Sequence, residues 1–204
     1  MFQIGLTGGI CTGKSYVLAI FDELGCYTFQ ADELAKKIIF SPDSKIASRI
    51  ITLCGDEVGD GNGGLCREKF ARLLFEDAEK RNAINRIVHP LVVKERLNKI
   101  KEIDKMNIYD FFVYESALLV ESGTFRNFEK IIVVYASSEE QIRRLMRRDG
   151  IDQEAAEKKI QAQFPLKEKL KVADYTIDSS GSFENTRLNT LEVFHLLKKD
   201  LNQQ

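Results

Sequence analysis

A glycine-rich segment near the start of the sequence offers the chemistry that is easiest to recognise. Residues 8–15 read Gly-Gly-Ile-Cys-Thr-Gly-Lys-Ser and match the pattern G-x-x-x-x-G-K-[ST] at every fixed position. Glycines let the backbone curl so that successive N–H groups point at phosphate oxygens. Lys14 would reach the β- and γ-phosphates of ATP, and the Ser15 hydroxyl would bind Mg²⁺. The segment therefore predicts a phosphate-binding loop (P-loop) that takes ATP with Mg²⁺.

The surroundings of the motif support this prediction. An apolar run, Phe2–Leu6, comes directly before it, and a segment with helical spacing, Ser15–Leu24, follows it and ends at Gly25. A helix that starts at the phosphate site adds the positive end of its dipole. The alternative is a glycine-rich turn without a ligand, and it is disfavoured because both the motif and its context are complete.

Two carboxylates follow predicted strands and are candidates for work at the transferred phosphate. Asp32 comes a few residues after the second strand, and Glu115 ends the third. In an open α/β sheet the carboxyl ends of the strands face the ligand crevice. Asp32 could orient or deprotonate an attacking hydroxyl or hold a water of Mg²⁺, and the alternative is the N-cap of a helix over 32–39. Glu115 could contact Mg²⁺ through water, or it could face solvent.

A basic segment after the fourth strand is a candidate lid. It carries two pairs of arginines with i,i+4 spacing, namely Arg143, Arg144, Arg147 and Arg148. A closing helix at this place would bring guanidinium groups onto the transferring phosphoryl group. The alternative for any single arginine is a solvated, charged helix face.

The chain has the features of a kinase and lacks those of a GTPase. The Asn-Lys-x-Asp motif that reads guanine is missing, since residues 98–101 read Asn-Lys-Ile-Lys. The letters D-x-x-G occur at 56–59, but they do not end a strand. The acidic and basic candidates suit phosphoryl transfer, which depends mostly on positioning and charge stabilisation.

Strand and helix patterns alternate along the chain and predict an α/β fold with crossover connections. Strands are predicted in the apolar runs Phe2–Leu6, Tyr27–Phe29, Ile108–Tyr114, Lys130–Tyr135 and Tyr175–Ile177. Helices are predicted from a capping box at Ser138, from Asp152 to Phe164, and from Phe183 to Lys199.

A helical insertion is predicted between the second and third strands. Its helical patterns are broken at Ser41-Pro42, Gly55 and Gly59–Gly64. His89-Pro90 interrupts a long helical stretch within it, and Pro90 suits the first turn of a new helix.

Composition excludes several classes of protein. The net charge is −1, with 30 basic and 31 acidic residues, which argues against a nucleic-acid surface. No apolar run is long enough for a membrane span, and the N-terminus does not resemble a signal peptide. The four cysteines form no Cys-x-x-Cys pair, so reduced thiols in a cytoplasmic protein are expected rather than zinc ligands. Cys11 lies at a helix N-terminus and is a candidate for a lowered pKa.

Taken together in order, these motifs resemble the dephospho-CoA kinase family over almost the whole chain. The matching segments are Thr7–Ser15, Ala31-Asp32, His89-Pro90, Leu118–Glu121, Arg148-Asp149, Gln163, Glu168-Lys169, Ala173-Asp174 and Ile177-Asp178. The resemblance implies phosphorylation of the 3′-hydroxyl of the dephospho-CoA ribose by ATP and Mg²⁺, the last step of coenzyme A synthesis. It implies a single kinase unit that works as a monomer or weak homo-oligomer, without nucleic-acid or membrane partners.

The resemblance also implies three functional regions along the chain. The nucleotide-binding core is expected at 1–31, 105–137 and 171–204, with a five-stranded parallel sheet. The helical CoA-side subdomain is expected at 32–104 and the lid at 138–170.

Site residues follow from the same resemblance. Asp32, Lys14 and Arg148 would be catalytic, and Ser15 and Asp32 would serve the metal. ATP would be bound by Gly8, Gly9, Ile10, Cys11, Thr12, Gly13, Lys14, Ser15, Tyr16, Arg144 and Ser179. Dephospho-CoA would be bound by Thr7, Asp32, His89, Leu118, Gln163 and Lys169.

The chain departs from the family pattern at a few positions. Gln30 stands where members usually have the first Asp of Asp-Ala-Asp, and Cys11-Thr12 replaces Gly-Ser. Ser179 replaces an Asn near the base, and Ala117 replaces a Pro. An amide at 30 cannot accept a proton at neutral pH, and a side chain at Cys11 requires negative φ or some strain. Two alternatives therefore stay open: another small-molecule or nucleoside-monophosphate kinase, and a weakly catalytic ATP-binding regulatory protein.

Overall fold

Five apolar segments form one parallel sheet, which confirms the predicted fold class. The computed structural model describes residues 1–41 and 45–203, so the predicted break at Pro42 lies outside the described residues. The strands are β1 (Phe2–Gly8), β2 (Tyr27–Gln30), β3 (Phe111–Glu115), β4 (Lys130–Tyr135) and β5 (Tyr175–Asp178). Their order is β2-β3-β1-β4-β5, which places β1 at the centre. The P-loop therefore leaves the middle of the sheet at its carboxyl end.

Helices connect the strands. They are α1 (Lys14–Glu23), α2 (Ala31–Ile39), α3 (Lys45–Cys54), α4 (Arg67–Glu76), α5 (Ala78–Met106), α6 (Ser138–Asp149), α7 (Gln153–Gln161), α8 (Leu166–Leu170) and α9 (Phe183–Leu201). Alternate side chains of β1 and β3 pack with α1 and α9 in a buried cluster that includes Leu6, Val17 and Phe194. The burial of this apolar surface fixes the start of α1 at the end of β1.

The chain divides into two compact units. The first comprises Met1–Gln30 and the residues from Ile103 onward, and it contains the whole sheet. The second, Ala31–Glu102, comprises α2 to α4 and most of α5, and it corresponds in position to the predicted insertion. Residues 138–170 belong to the first unit. The CoA-side and lid roles of these regions stay predictions.

Several predicted boundaries need correction. β3 begins at Phe111, later than predicted, because Asn107 has φ of 51° and Ile108 is exposed. The N-cap of α6 is Ser137, since its side chain accepts the Glu140 N–H, so the predicted capping residue was one position too late. α7 ends at Gln161, before Phe164. Asp152 caps α7 as predicted, by accepting the Ala155 N–H.

The predicted helix start at Pro90 is wrong. α5 runs from Ala78 to Met106 with Pro90 inside it. A proline in a helix interior removes one backbone hydrogen bond and usually bends the helix. The helix is continuous here, and the side chains on either side of the proline, Val88 and Val92, are buried.

Candidate active site

The backbone of the P-loop has the shape that a phosphate cradle requires. A Cβ atom on Gly8 would lie 2.3 Å from the Val134 carbonyl oxygen, so only glycine fits there. Gly13 has φ of 82°, which lets the loop turn directly into α1. Cys11 also has positive φ, at 56°, and this confirms that its side chain is accommodated at a cost in strain.

Two side chains of the loop carry the groups that a magnesium nucleotide needs. The Lys14 ammonium donates to the carbonyl oxygens of Gly8 at 3.3 Å and Gly9 at 2.9 Å. Ser15 is exposed in the first turn of α1. The cradle, the cation and the hydroxyl fit the phosphates of ATP and one Mg²⁺.

Side chains from three other parts of the first unit hold the P-loop backbone. The Ile10 N–H donates to Gln163 Oε1, and Gln141 Nε2 donates to the Ile10 carbonyl, both at 2.7 Å. Ser179 Oγ donates to the Thr12 carbonyl at 2.7 Å, and Ser179 is 2 % exposed. The loop is therefore tied to α6, to the turn after α7 and to the end of β5.

Arg144 joins two of these elements to the loop. Its guanidinium donates to the Cys11 carbonyl at 3.3 Å and to both Oγ and the carbonyl oxygen of Ser179. Glu140 accepts from Arg144 on one side and from Arg143 on the other. Hydrogen bonds from Arg143 and then Arg144 lower the pKa of Glu140 to about 2. The carboxylate is thus ionised and fixes the Arg144 guanidinium beside the loop.

Arg148 lies at the end of α6 and is paired with its neighbour. Its Nε donates to Asp149 at 2.8 Å, and Lys159 also donates to Asp149 at 2.8 Å. The hydrogen bond from Arg148 lowers the pKa of Asp149 to about 2. Arg148 is half-exposed in this arrangement.

The Cys11 thiol does not have the lowered pKa that its position suggested. Burial raises its pKa, and this effect outweighs the nearby charge of Arg148, which lowers it. The thiol is therefore protonated at neutral pH, and the expectation of an activated cysteine is wrong.

Lys169 is a buried lysine that forms an ion pair with the loop that follows β3. It is 2 % exposed, and its ammonium donates to Glu121 at 2.8 Å and to the Ala117 carbonyl. Leu118, which lies between these two partners in sequence, is exposed. The substrate-binding role expected for Lys169 stays a prediction, and the contacts made by its side chain are those of a residue that positions the 117–121 loop.

Two more expected residues lie close to the loop in sequence. Thr7 is buried near the end of β1, and within the described residues its Oγ1 has no hydrogen-bond partner. The Tyr16 hydroxyl donates to the Phe183 carbonyl at 3.3 Å, and the two rings pack edge to face at 5.0 Å.

Asp32 and His89 belong to the second unit. Asp32 is the second residue of α2 and therefore lies in its first turn, so the N-cap interpretation is wrong. His89 lies inside α5, where burial and then the charge of Arg96 lower its pKa. Arg96 itself is 4 % exposed.

Sequence reasoning missed two residues of the site, Gln141 and Glu140. The pattern Ser137-x-x-Glu140 is a capping box that could have located Glu140. Gln141 entered the prediction only as the partner of Ser138 in a capping box, a pattern that indicates a helix start and not a contact with the P-loop.

The described part of the chain contains neither a cluster of metal ligands nor a membrane-spanning helix. Within 1–41 and 45–203, no three or more His, Cys, Asp or Glu side chains are grouped as metal ligands. None of the helices described is long and apolar enough to cross a membrane.

Comparison with known proteins identifies the family. The family model described as dephospho-CoA kinase matches residues 2–185. The dephospho-CoA kinase of Carboxydothermus hydrogenoformans is 40 % identical, over 96 % of this chain and 94 % of its own. That of Aquifex aeolicus is 38 % identical, over 98 % of this chain and 100 % of its own. The solved dephospho-CoA kinase from Campylobacter jejuni has a TM-score of 0.69 and 28 % identity, covering 97 % of this chain and 98 % of its own. The chain therefore belongs to the dephospho-CoA kinase family.

Proposed function

We propose that this chain transfers the γ-phosphoryl group of ATP to the 3′-hydroxyl of the dephospho-CoA ribose, giving coenzyme A and ADP. The observation that carries the proposal is a complete P-loop after the central strand of the sheet, in a chain that matches the family model over residues 2–185. This reaction is the last step of coenzyme A synthesis.

The donor side consists of the P-loop and α6. The loop amides and Lys14 bind the phosphates of ATP, and Arg144 fixes the loop at Cys11 and Ser179. Arg148 gives up its hydrogen bond to Asp149 and binds the transferring phosphoryl group instead. Negative charge spreads over the oxygens of this group during transfer, and the guanidinium stabilises that charge.

The Ser15 hydroxyl would hold Mg²⁺ together with the phosphates of ATP, and Asp32 would hold a water of the same ion. When bound, Mg²⁺ neutralises the charge on the β- and γ-phosphates. The exposure of Ser15 in the first turn of α1 supports this assignment.

Asp32 is assigned to the acceptor hydroxyl. A carboxylate two residues after the end of β2 can orient this hydroxyl and accept its proton during transfer. His89, Leu118 and Thr7 are assigned to the acceptor as well, on the strength of the family motifs alone.

We expect the chain to act as a monomer or weak homo-oligomer. The four cysteines are free, which suits a reducing compartment such as the cytoplasm. We assign the reaction to that compartment.

A panel of acceptors in an ADP-release assay tests the proposal. With ATP and Mg²⁺, dephospho-CoA should give fast turnover, whereas nucleoside monophosphates and shikimate should give only background ATP hydrolysis. Fast turnover with another acceptor would identify a different small-molecule kinase. Tight ATP binding without transfer to any acceptor would identify a regulatory protein.

A further inference from the structure

Two glutamine side chains from different elements hold the same residue of the P-loop. Gln163, in the turn after α7, accepts the Ile10 N–H through Oε1 at 2.7 Å. Gln141, in the first turns of α6, donates through Nε2 to the Ile10 carbonyl at 2.7 Å. Both backbone polar groups of Ile10 are thus fixed from outside the loop.

Ile10 comes directly before a residue with a strained backbone, so the two hydrogen bonds act next to that strain. The next residue, Cys11, has φ of 56°, a conformation that is unfavourable for any residue with a side chain. Such a conformation persists only where the surroundings determine it strongly. The two glutamines fix the residue before Cys11, and Arg144 binds the Cys11 carbonyl on the other side.

The Gln141 side chain is packed closely against the loop backbone. It is 5 % exposed, and a Cβ atom on Gly9 would lie only 2.9 Å from its Nε2. The glycine at position 9 therefore leaves the space that the amide of Gln141 occupies. Gln163 is exposed, so its hydrogen bond is the contact that links the turn after α7 to the loop.

We propose that Gln141 and Gln163 are paired positioning residues, which together hold Ile10 so that the strained loop keeps its phosphate-binding shape. The proposal rests on the proposed function in that ATP is the ligand of the loop. It assigns Gln163 to the donor side, whereas the resemblance implied a contact with dephospho-CoA. It also assigns a role to Gln141, which the resemblance did not include among the site residues.

The two residues should act jointly because they hold one backbone segment. Losing either hydrogen bond lets the backbone at Ile10 rotate, which also weakens the other bond. Neither side chain needs to touch ATP, so the effect should appear in ATP binding and in loop dynamics more than in the rate of the chemical step.

Hydrogen exchange on the ligand-free protein tests the loop directly. We expect faster exchange in the segment containing Ile10 for Gln141→Met and for Gln163→Met. Gln153→Met is the matched control, since Gln153 lies on α7 but its side chain bonds Glu157. Gln163→Glu keeps an acceptor oxygen and should restore protection, whereas Gln141→Glu lacks the donor and should not.

A double-mutant cycle on the calorimetric Kd for MgATP tests the pairing. We expect each methionine variant to weaken binding about fivefold, the effect of one net hydrogen bond. The double variant should lose well under the product of the two, because both side chains hold the same residue. The Gln153→Met control should bind as the unmodified chain does.

Three results would overturn the proposal: unchanged exchange at Ile10 in the Gln163→Met variant, effects on Kd that multiply independently, or a control that behaves like the test variants. Gln163 is exposed, so its variants decide the matter even if Gln141→Met folds poorly. The exchange measurement needs neither ATP nor an acceptor. A failure to phosphorylate dephospho-CoA would therefore refute the proposed function and leave this inference standing.

Discussion

At the scale of single residues, Cys11 has a strained backbone conformation inside the P-loop. Its φ of 56° is a conformation that glycine adopts freely and that other residues adopt at a cost of about 1–2 kcal/mol. The ties made by Gln141, Gln163 and Arg144 explain how the loop keeps its shape despite this cost.

Replacing Cys11 by glycine should stabilise the protein. We expect Cys11→Gly to raise the free energy of unfolding by about 0.5–1 kcal/mol, the relieved strain less the backbone entropy that glycine loses on folding. Urea denaturation measures the change. Cys66→Gly is the control, because Cys66 has φ of −73° and gains nothing from glycine. A lower stability for Cys11→Gly would show that the side chain contributes packing that exceeds its strain.

Gln30, the residue that departs from the family pattern, lies beside a buried carboxylate. It pairs in register with Glu115 on the neighbouring strand, so the two side chains project from the same face of the sheet. Glu115 is 6 % exposed. An aspartate at position 30 would place two carboxylates side by side at the end of the sheet.

The Gln30→Asp variant should therefore be less stable without Mg²⁺. We expect a loss of roughly 0.2–1 kcal/mol at pH 8, because like charges on neighbouring strands repel. The repulsion raises the pKa of one carboxyl in the folded state, so the deficit should shrink as the pH falls and that group takes up a proton. Thermal unfolding at pH 8 and pH 5, with Gln30→Asn as control, gives the measurement. A deficit that grows as the pH falls would contradict this.

At the scale of elements, the ion pair made by the buried Lys169 connects α8 to the loop after β3. Its ammonium bonds Glu121 and the Ala117 carbonyl, and this contact spans a long stretch of sequence. The exposed Leu118 depends on this loop for its position.

Removing the Lys169 ammonium should cost about 1–3 kcal/mol of stability, since the Ala117 carbonyl and the Glu121 carboxylate both lose their donor. Urea denaturation of Lys169→Met measures this. Lys171→Met is the control; Lys171 also pairs with a glutamate at 2.8 Å, but it is exposed, so a change within about 0.5 kcal/mol is expected. Equal losses of stability in the two variants would mean that the burial of the lysine does not determine the loss.

Helix α6 carries a carboxylate whose ionisation should appear in the acid stability of the protein. Hydrogen bonds from Arg143 and Arg144 lower the pKa of Glu140 to about 2, below the ordinary 4.5. A lowered pKa in the folded state means that the stabilisation is complete above pH 4.5 and is lost as the pH falls towards 2. Glu140→Gln should therefore be less stable than the unmodified chain at pH 6, and the difference should shrink by pH 3.

Thermal unfolding between pH 6 and pH 3 measures this difference. Glu139→Gln, which removes a neighbouring negative charge near the same helix N-terminus, is the control. A difference between Glu140→Gln and the unmodified chain that stays constant from pH 6 to pH 3 would show that the arginine contacts are not formed in solution.

At the scale of the whole molecule, the sequence predicted the fold and the phosphate-binding loop correctly because both are encoded locally. Apolar runs on both faces give β1 to β5, and the glycines and Lys14 give the loop. The start of α6 was misplaced by one residue because Ser137 and Ser138 are both good caps, and only the packing of the helix selects between them. The continuity of α5 through Pro90 likewise depends on burial around it, which a local pattern does not contain.

The ties that hold the loop could not have been predicted from the sequence. Gln141 and Gln163 meet Ile10 across more than a hundred residues, and Lys169 meets Glu121 across the span from α8 to β3. None of these three contacts leaves a periodic or compositional signal near the residues involved. The positive φ of Cys11 was foreseen only as one of two options, since the choice is made by these distant partners.

The central claim is transfer of a phosphoryl group from ATP to dephospho-CoA, and identification of the product tests it most directly. Mass spectrometry of a reaction with ATP, Mg²⁺ and dephospho-CoA should show one coenzyme A formed for each ADP released. Asp32→Asn should bind ATP normally but form product slower by orders of magnitude. ADP release without coenzyme A, or no ADP release from a chain that binds ATP, would contradict the account.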